Sequence, residues 1–195
     1  MSSGMAFDRN TVIDERTLSL LAWLPTRSFQ KLTAPDFWPR LSDADMMRIA
    51  VLLAQKSYDE GGCPIGAVVM ENSSKKILGK GHNTLIQENH PYNHGETSAM
   101  RDAGSIDFSA TTVFTTLTPC KVCATLLAER GVARVVIGNT PDKNNNEGYL
   151  RDSGVKVVNL NDPVGVTLYS RYCKEKPDQN LIDWKGVAAL RRQTK

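Results

Sequence analysis

The sequence predicts a three-layer α/β/α sandwich on a mixed five-stranded sheet whose later strands run parallel. Three observations point there. Apolar runs of strand length alternate with segments of helical period along most of the chain. Glycines close the helical segments, at Gly61-Gly62, Gly104, Gly131 and Gly154. Helices lying between successive strands demand crossover connections, and a crossover leaves the strands it joins parallel.

The elements follow in order. Ser42 before Asp43 and Asp45 is an N-cap with acids in the first turn. Met46, Ile49, Leu52, Leu53 and Lys56 then recur at helical spacing until Gly61-Gly62. Pro64–Met70 and Ile77–Gly81 are short apolar runs around the turn-like Glu71-Asn72-Ser73-Ser74, which reads as two strands joined by a turn. After the polar loop 89–93 comes a helix over His94–Ala103, and Thr111–Thr118 is β-branched and aromatic enough for a buried strand. Pro119 suits the first turn of the next helix, where a missing N–H costs nothing, and that helix runs to Gly131. Val132–Gly138 is a strand, Glu147–Ser153 a short helix and Val155–Leu160 the last strand. Pro163 leads into a helix over Val164–Lys174, marked by Val166, Leu168, Tyr169 and Tyr172.

The chain has 195 residues, 41% apolar and 23% charged, which excludes disordered, collagen-like and coiled-coil classes. A core of that size needs no disulfide staples. Residues 42–184 form the expected domain. Residues 1–41 hold Phe7, Trp23, Phe29, Phe37 and Trp38, too apolar for a disordered arm, and are expected to pack on the body as an extension. Residues 185–195 are a basic tail, expected to be solvated.

Net charge is +3, but Lys185, Arg191, Arg192 and Lys195 sit in that tail, leaving 20 bases against 21 acids elsewhere. A body so near neutrality is not the footprint of a nucleic-acid binder. No apolar run approaches the roughly 20 residues of a membrane span, and acids at Asp8, Asp14 and Glu15 do not suit a signal peptide. A cytoplasmic protein is the expectation.

Two segments carry chemistry, His94-Gly95-Glu96 and Pro119-Cys120-Lys121-Val122-Cys123. Cysteines three apart at a helix start share a face, and the positive helix end favours their thiolates. With His94 they make three ligands, and three ligands with an open fourth position describe catalytic rather than structural zinc. Glu96 is placed to carry a proton without binding the metal. A thioredoxin-type redox pair and a structural zinc knuckle are the competing readings of the cysteines. Pro91 biases His90 away from helical geometry, so His90 and His94 should not share a helix face, and His82 reads as ordinary. Cys63 and Cys173 read as small buried hydrophobes.

The H-x-E…P-C-x-x-C arrangement resembles that of the cytidine deaminase superfamily, and within it the fungal-type cytosine deaminases. Gly61–Ala67, Gly79-Lys80-Gly81-His82-Asn83 and Thr115–Cys120 extend the likeness, which runs from about Asp45 to Asp183. The resemblance implies a cytidine deaminase-like fold, a homodimer, and one zinc ion per chain on His94, Cys120 and Cys123. It implies Glu96 as proton shuttle and a substrate site of Asn83, Gly95, Asp183, Ile65, Thr118 and Trp184. The chain departs from the pattern where that family closes its pocket with a Phe and a Trp. The corresponding loop, Asn139–Asn146, is polar, and the Trp position falls on Asn180, four residues before Trp184. Trp184 takes over the stacking, or the pocket is wider and more polar.

The expected activity is hydrolytic deamination of a free amino-heterocycle, cytosine to uracil and ammonia first. Another small ring (a purine, a pterin or a modified pyrimidine) is the alternative. A nucleic-acid deaminase and a non-catalytic zinc module stand behind these. The expected partner is a small heterocyclic amine, without nucleic acid or membrane.

Overall fold

The computed structural model describes residues 41–141 and 146–193. The expectation that the N-terminal segment packs on the body falls on residues outside that range. The described chain runs α1 (Asp43–Asp59), β1 (Gly66–Glu71), β2 (Ile77–His82), α2 (Gly95–Ala103), β3 (Thr111–Thr115), α3 (Lys121–Glu129) and β4 (Arg134–Ile137). It continues through α4 (Asn146–Asp152), β5 (Lys156–Asn159), α5 (Pro163–Glu175), α6 (Pro177–Lys185) and α7 (Val187–Gln193).

The sheet has five strands in the order β2-β1-β3-β4-β5. β1 is antiparallel to both β2 and β3, while β3, β4 and β5 are parallel, so the mixed sheet expected from the sequence is the one observed. Because side chains alternate across a strand, each face has its own partners. Ala67, Val69, Val113, Val135 and Ile137 form one cluster with Ala99 and Met100 of α2, Ala124 and Leu127 of α3 and Leu150 of α4. The intervening Val68, Phe114 and Val136, in register across β1, β3 and β4, are buried on the opposite face, where α1 lies. Helices thus flank both faces.

Two glycines let those helices approach. A Cβ on Gly66 would stand 2.1 Å from the carbonyl oxygen of Ala50 in α1. On Gly79 it would stand 2.3 Å from that of Ala99 in α2. Close contact of helix backbone with strand, rather than an unusual dihedral, excludes side chains there.

Ser42 caps α1 as expected, its hydroxyl accepting from Asp45 N while the Asp45 carboxylate accepts from Ser42 N at 2.8 Å. Several bounds differ from expectation, β3 ending at Thr115 rather than Thr118 among them. Pro119 lies before α3 rather than in its first turn, because the N-cap position goes to Cys120. The chain after Lys176 carries two further helices, α6 and α7, which the sequence reading did not recognise. Pro177 opens α6 at a position where its missing N–H costs nothing, and charge interrupts the apolar period that would have revealed it. Within the basic segment 185–195, Val187–Gln193 form α7. Among the described residues no helix is long and apolar enough to cross a membrane.

Candidate active site

The site forms where α2 and α3 begin. His94 is the N-cap of α2, its backbone N–H donating to Thr97 Oγ1 at 3.0 Å. Cys120 is the N-cap of α3, and Cys123 lies one turn in, buried. His94 Nδ1 stands 3.5 Å from Cys120 Sγ and 3.6 Å from Cys123 Sγ. All three ligand atoms lie within 4.8 Å of one another.

That spacing fits zinc. Bonds of about 2.0–2.1 Å to nitrogen and 2.3 Å to sulfur, at a tetrahedral angle, place N and S about 3.5 Å apart. One imidazole and two sulfurs make a donor set suited to that ion, with a fourth position left for a small molecule. A redox pair would have no use for an imidazole equidistant from both sulfurs.

The electrostatics agree. Burial works against a charge on His94, yet Cys120 and Glu96 outweigh it and hold the imidazole pKa up at about 9. The hydrogen bond from Cys123 draws Cys120 down to about 4, aided by His94 and opposed by burial. Cys123, the donor in that bond and itself buried, is pushed well above the ordinary thiol range. The cluster thus favours one thiolate, the form in which Cys120 would ligate zinc.

Glu96, two residues past His94, is only 3% exposed. Its carboxylate accepts from Thr115 Oγ1 at 3.1 Å, so the end of β3 fixes the group that the start of α2 supplies. Burial raises its pKa and Cys120 adds to that, while His94 and Thr115 oppose it. A carboxyl group lifted toward neutrality can both take and return a proton.

Asn83, fully buried just after β2, donates through Nδ2 to Asp183 Oδ1 at 2.8 Å and accepts at Oδ1 from Leu85 N at 3.0 Å. Asp183 therefore bridges α6 to the sheet. Burial raises its pKa, against His94 and the Asn83 bond. Gly95 begins α2 pressed on Ile65, since a Cβ there would meet Ile65 Cγ2 and its carbonyl oxygen at 3.1 Å.

A cleft of about 780 Å³ opens over these groups, and His94, Cys120, Cys123, Asp183 and Trp184 line it. Asn83, Gly95, Glu96 and Ile65 are buried and do not line the cleft. Thr118 is also buried, and its hydroxyl bonds to Thr140 Oγ1 at 2.6 Å and the Asn139 carbonyl at 3.2 Å, holding the loop after β4. Residues 142–145 of that loop lie outside the described residues.

Trp184 donates from Nε1 to the Tyr169 hydroxyl at 2.9 Å. Tyr169 lines the cleft too, yet in sequence it appears only as part of the apolar stripe of a helix. Its signal was the hydroxyl, which a buried tyrosine must satisfy. Thr115 was likewise read only as strand. His82 sits away from the site against Glu60, its Nε2 2.8 Å from Glu60 Oε2, and His90 is exposed in a turn.

Comparison with known proteins places this geometry among relatives. Residues 41–139 match the family model for the cytidine and deoxycytidylate deaminase zinc-binding region. A cytosine deaminase of Candida albicans is 39% identical over 145 residues, covering 73% of this chain and 93% of its own. A tRNA-specific adenosine deaminase of Buchnera aphidicola is 33% identical over 100 residues, 49% of this chain and 65% of its own. Among solved structures, the guanine deaminase of Nitrosomonas europaea superposes with a TM-score of 0.60 at 20% identity, covering 76% of this chain and 98% of its own. A structure in complex with 2,6-diaminopurine gives 0.62 at 21% identity over 69% and 83% of the two chains. At such identity those two likenesses speak for the fold. The matched region, the three convergent ligands and the extent of the fungal match agree, and the chain belongs to the zinc-binding cytidine and deoxycytidylate deaminase family.

Proposed function

We propose that this protein hydrolytically deaminates a free amino-heterocycle, with cytosine the leading substrate, uracil and ammonia the products, and zinc the cofactor. The observation that carries the reading is the buried Glu96 carboxylate, held by Thr115 and placed two residues from His94 in the His94–Cys120–Cys123 cluster. The fungal cytosine deaminase similarity supports the choice of ring.

His94, Cys120 and Cys123 would hold the zinc, which supplies Lewis-acid activation of water at neutral pH. Glu96 takes one proton from the attacking water and delivers it to the ring nitrogen, then takes the second proton of that oxygen and passes it to the departing amine as the C–N bond breaks and the carbonyl forms, so that one water is consumed and one ammonia released. Its raised pKa suits both transfers. Asp183, whose position is set by Asn83, accepts from the exocyclic amine. For a ring seated beneath the residues that line the cleft, the second N–H of the Asn83 amide and the backbone N–H of Gly95 would donate to the ring edge and its carbonyl. Ile65 and Trp184 supply apolar surface for the ring, and Thr118 shapes the loop after β4. A homodimer and a role in pyrimidine salvage, which rest on the family resemblance, and a cytoplasmic location, which rests on the sequence, belong to the same reading.

A second reading, another amino-heterocycle in place of cytosine, is favoured by the polar wall that Tyr169 and Asn180 give the cleft. The test is ammonia release from free cytosine by zinc-loaded protein, with Glu96→Ala as control. Release should vanish in the variant while zinc stays at about one per chain. A fully active variant overturns the role of Glu96, and zinc-loaded protein that releases nothing from cytosine but acts on a purine selects the second reading.

A further inference from the structure

The outer wall of the cleft is a chain of three side chains whose hydrogen-bonding directions are fixed. Asn180, Asp183 and Trp184 stand at positions i, i+3 and i+4 of α6, hence on one face, and all three line the cleft. Tyr169 meets them from α5. The indole N–H of Trp184 can only donate, so the Tyr169 oxygen accepts that bond, at 2.9 Å. The phenol's single proton goes to Asn180 Oδ1, at 3.2 Å, with Cys173 also beside the hydroxyl. The Asn180 carbonyl is thereby turned toward α5. Its Nδ2 has no partner among the described residues, and Asn180 is half-buried on the cleft wall. An amide anchored through its oxygen presents two N–H donors in a set direction.

We propose that Asn180 is a specificity-determining residue whose amide N–H donates to an acceptor on the bound ring, with Tyr169 and Trp184 positioning it. The proposal rests on the deaminase reading and names its substrate class. The favoured rings are amino-heterocycles with a further ring nitrogen or carbonyl beyond the atoms that Asp183, Asn83 and Gly95 address. A ring without such an acceptor leaves the half-buried donor unpaired, which penalises it.

The experiment uses matched rings on zinc-loaded full-length protein: cytosine against 5-azacytosine, and 7-deazaguanine against guanine. Each pair differs by one ring nitrogen. Comparing the preference of the wild type with that of Asn180→Leu and Tyr169→Phe cancels the intrinsic reactivity of the rings. Zinc content and melting midpoint establish that each variant is folded. In at least one pair, the wild-type preference for the nitrogen-bearing ring should fall about tenfold in Asn180→Leu, the worth of one hydrogen bond, and by less in Tyr169→Phe. The loss should appear in KM rather than kcat, as expected of a contact to a non-reacting atom. A residue that merely held α6 in place would weaken both members of a pair alike. Equal preference in wild type and Asn180→Leu, in both pairs, overturns the proposal. If the wild type deaminates none of the four rings, the choice of cytosine or a purine as substrate fails instead. Calorimetric binding of the same rings then reads the contact separately: a preference lost in Asn180→Leu upholds it, and an unaltered preference or no binding at all refutes it.

Discussion

The Asn83–Asp183 bond ties the C-terminal helices to the sheet, and removing one side of it should cost measurable stability. Asn83 is fully buried and Asp183 is 8% exposed, with 2.8 Å between Nδ2 and Oδ1. In Asp183→Ala the Asn83 N–H loses its partner while Oδ1 stays engaged with Leu85 N. A buried donor left unpaired costs about 1–3 kcal/mol. Because Asp183 lines the cleft, truncating it admits water to the orphaned N–H, which places the cost near the lower end, about 1–2 kcal/mol. For a chain of this size that lowers the melting midpoint by about 2–8 °C. Asp183→Asn keeps an oxygen for Asn83 and removes a buried carboxyl group, so its midpoint should stay within about 1 °C of wild type, equivalent to less than 0.5 kcal/mol. The assay is thermal denaturation of zinc-loaded protein at pH 7, alongside KM for the deaminated ring, which should rise in both variants. Equal losses of stability in the two variants would refute the argument, since the hydrogen bond would then not be what distinguishes them. So would an Asp183→Ala variant as stable as wild type.

Two further outcomes follow from the packing and the charges. Gly66→Ala places a Cβ 2.1 Å from Ala50 O, 2.6 Å from Ala54 N and 2.8 Å from Leu53 Cβ, so backbone must move. Overpacking of this kind costs about 1–3 kcal/mol or more, and a melt of the variant should show it; an unchanged midpoint would deny the close approach of α1 to β1. Arg134 Nη1 donates to Asp43 Oδ1 at 2.8 Å and Nη2 to Oδ2, clipping the start of α1 to β4. That bond holds the Asp43 pKa below its usual value. The stability it contributes is present above the unfolded carboxylate pKa and lost as pH falls through the lowered one. The gap between wild type and Asp43→Asn, below about 1 kcal/mol for a pair so exposed, should therefore close between pH 5 and pH 2 in urea denaturation; a gap that widens in acid would contradict the assignment.

What the sequence disclosed depended on how local the physics was. Ser42 announced α1 because capping acts within three residues, and the metal cluster was legible because each half of its motif sits within five. Pro119 misled by two residues, since its propensity for a first turn gave way to a cap position that Cys120 fills. α6 escaped because its sequence mixes Asp178, Gln179 and Asn180 with Leu181 and Ile182, and only tertiary contacts show which face is covered. Tyr169 showed a hydrophobic period but not a bond to Trp184, which depends on how two helices cross. Thr115 holds Glu96 across 19 positions of sequence, a relation that no window of the chain contains.

One arrangement explains why so small a motif can specify so much. The caps of α2 and α3 are normally places for Ser, Asp or Asn, whose oxygens satisfy the first N–H groups. Here those positions carry His94 and Cys120, and the Cys123 backbone N–H faces the Cys120 sulfur. The helix end that would have stabilised a capping oxygen stabilises a thiolate instead. Thr97 takes over part of the lost capping by accepting from His94 N, and Pro119 stops the preceding residues from extending the helix past its ligand. β3 delivers α3 at the point where the sheet changes from antiparallel to parallel pairing, beside the end of β1 that carries Ile65 and Gly66. Ile65 before β1, Asn83 after β2 and Asp183 of α6, proposed to meet the substrate, are thereby gathered around the cluster from separate parts of the sequence. The three-ligand cluster is therefore set by two helix starts. On the proposed reading, Glu96 and the three ligands carry the chemistry, while the Tyr169–Asn180 wall sets which ring is accepted.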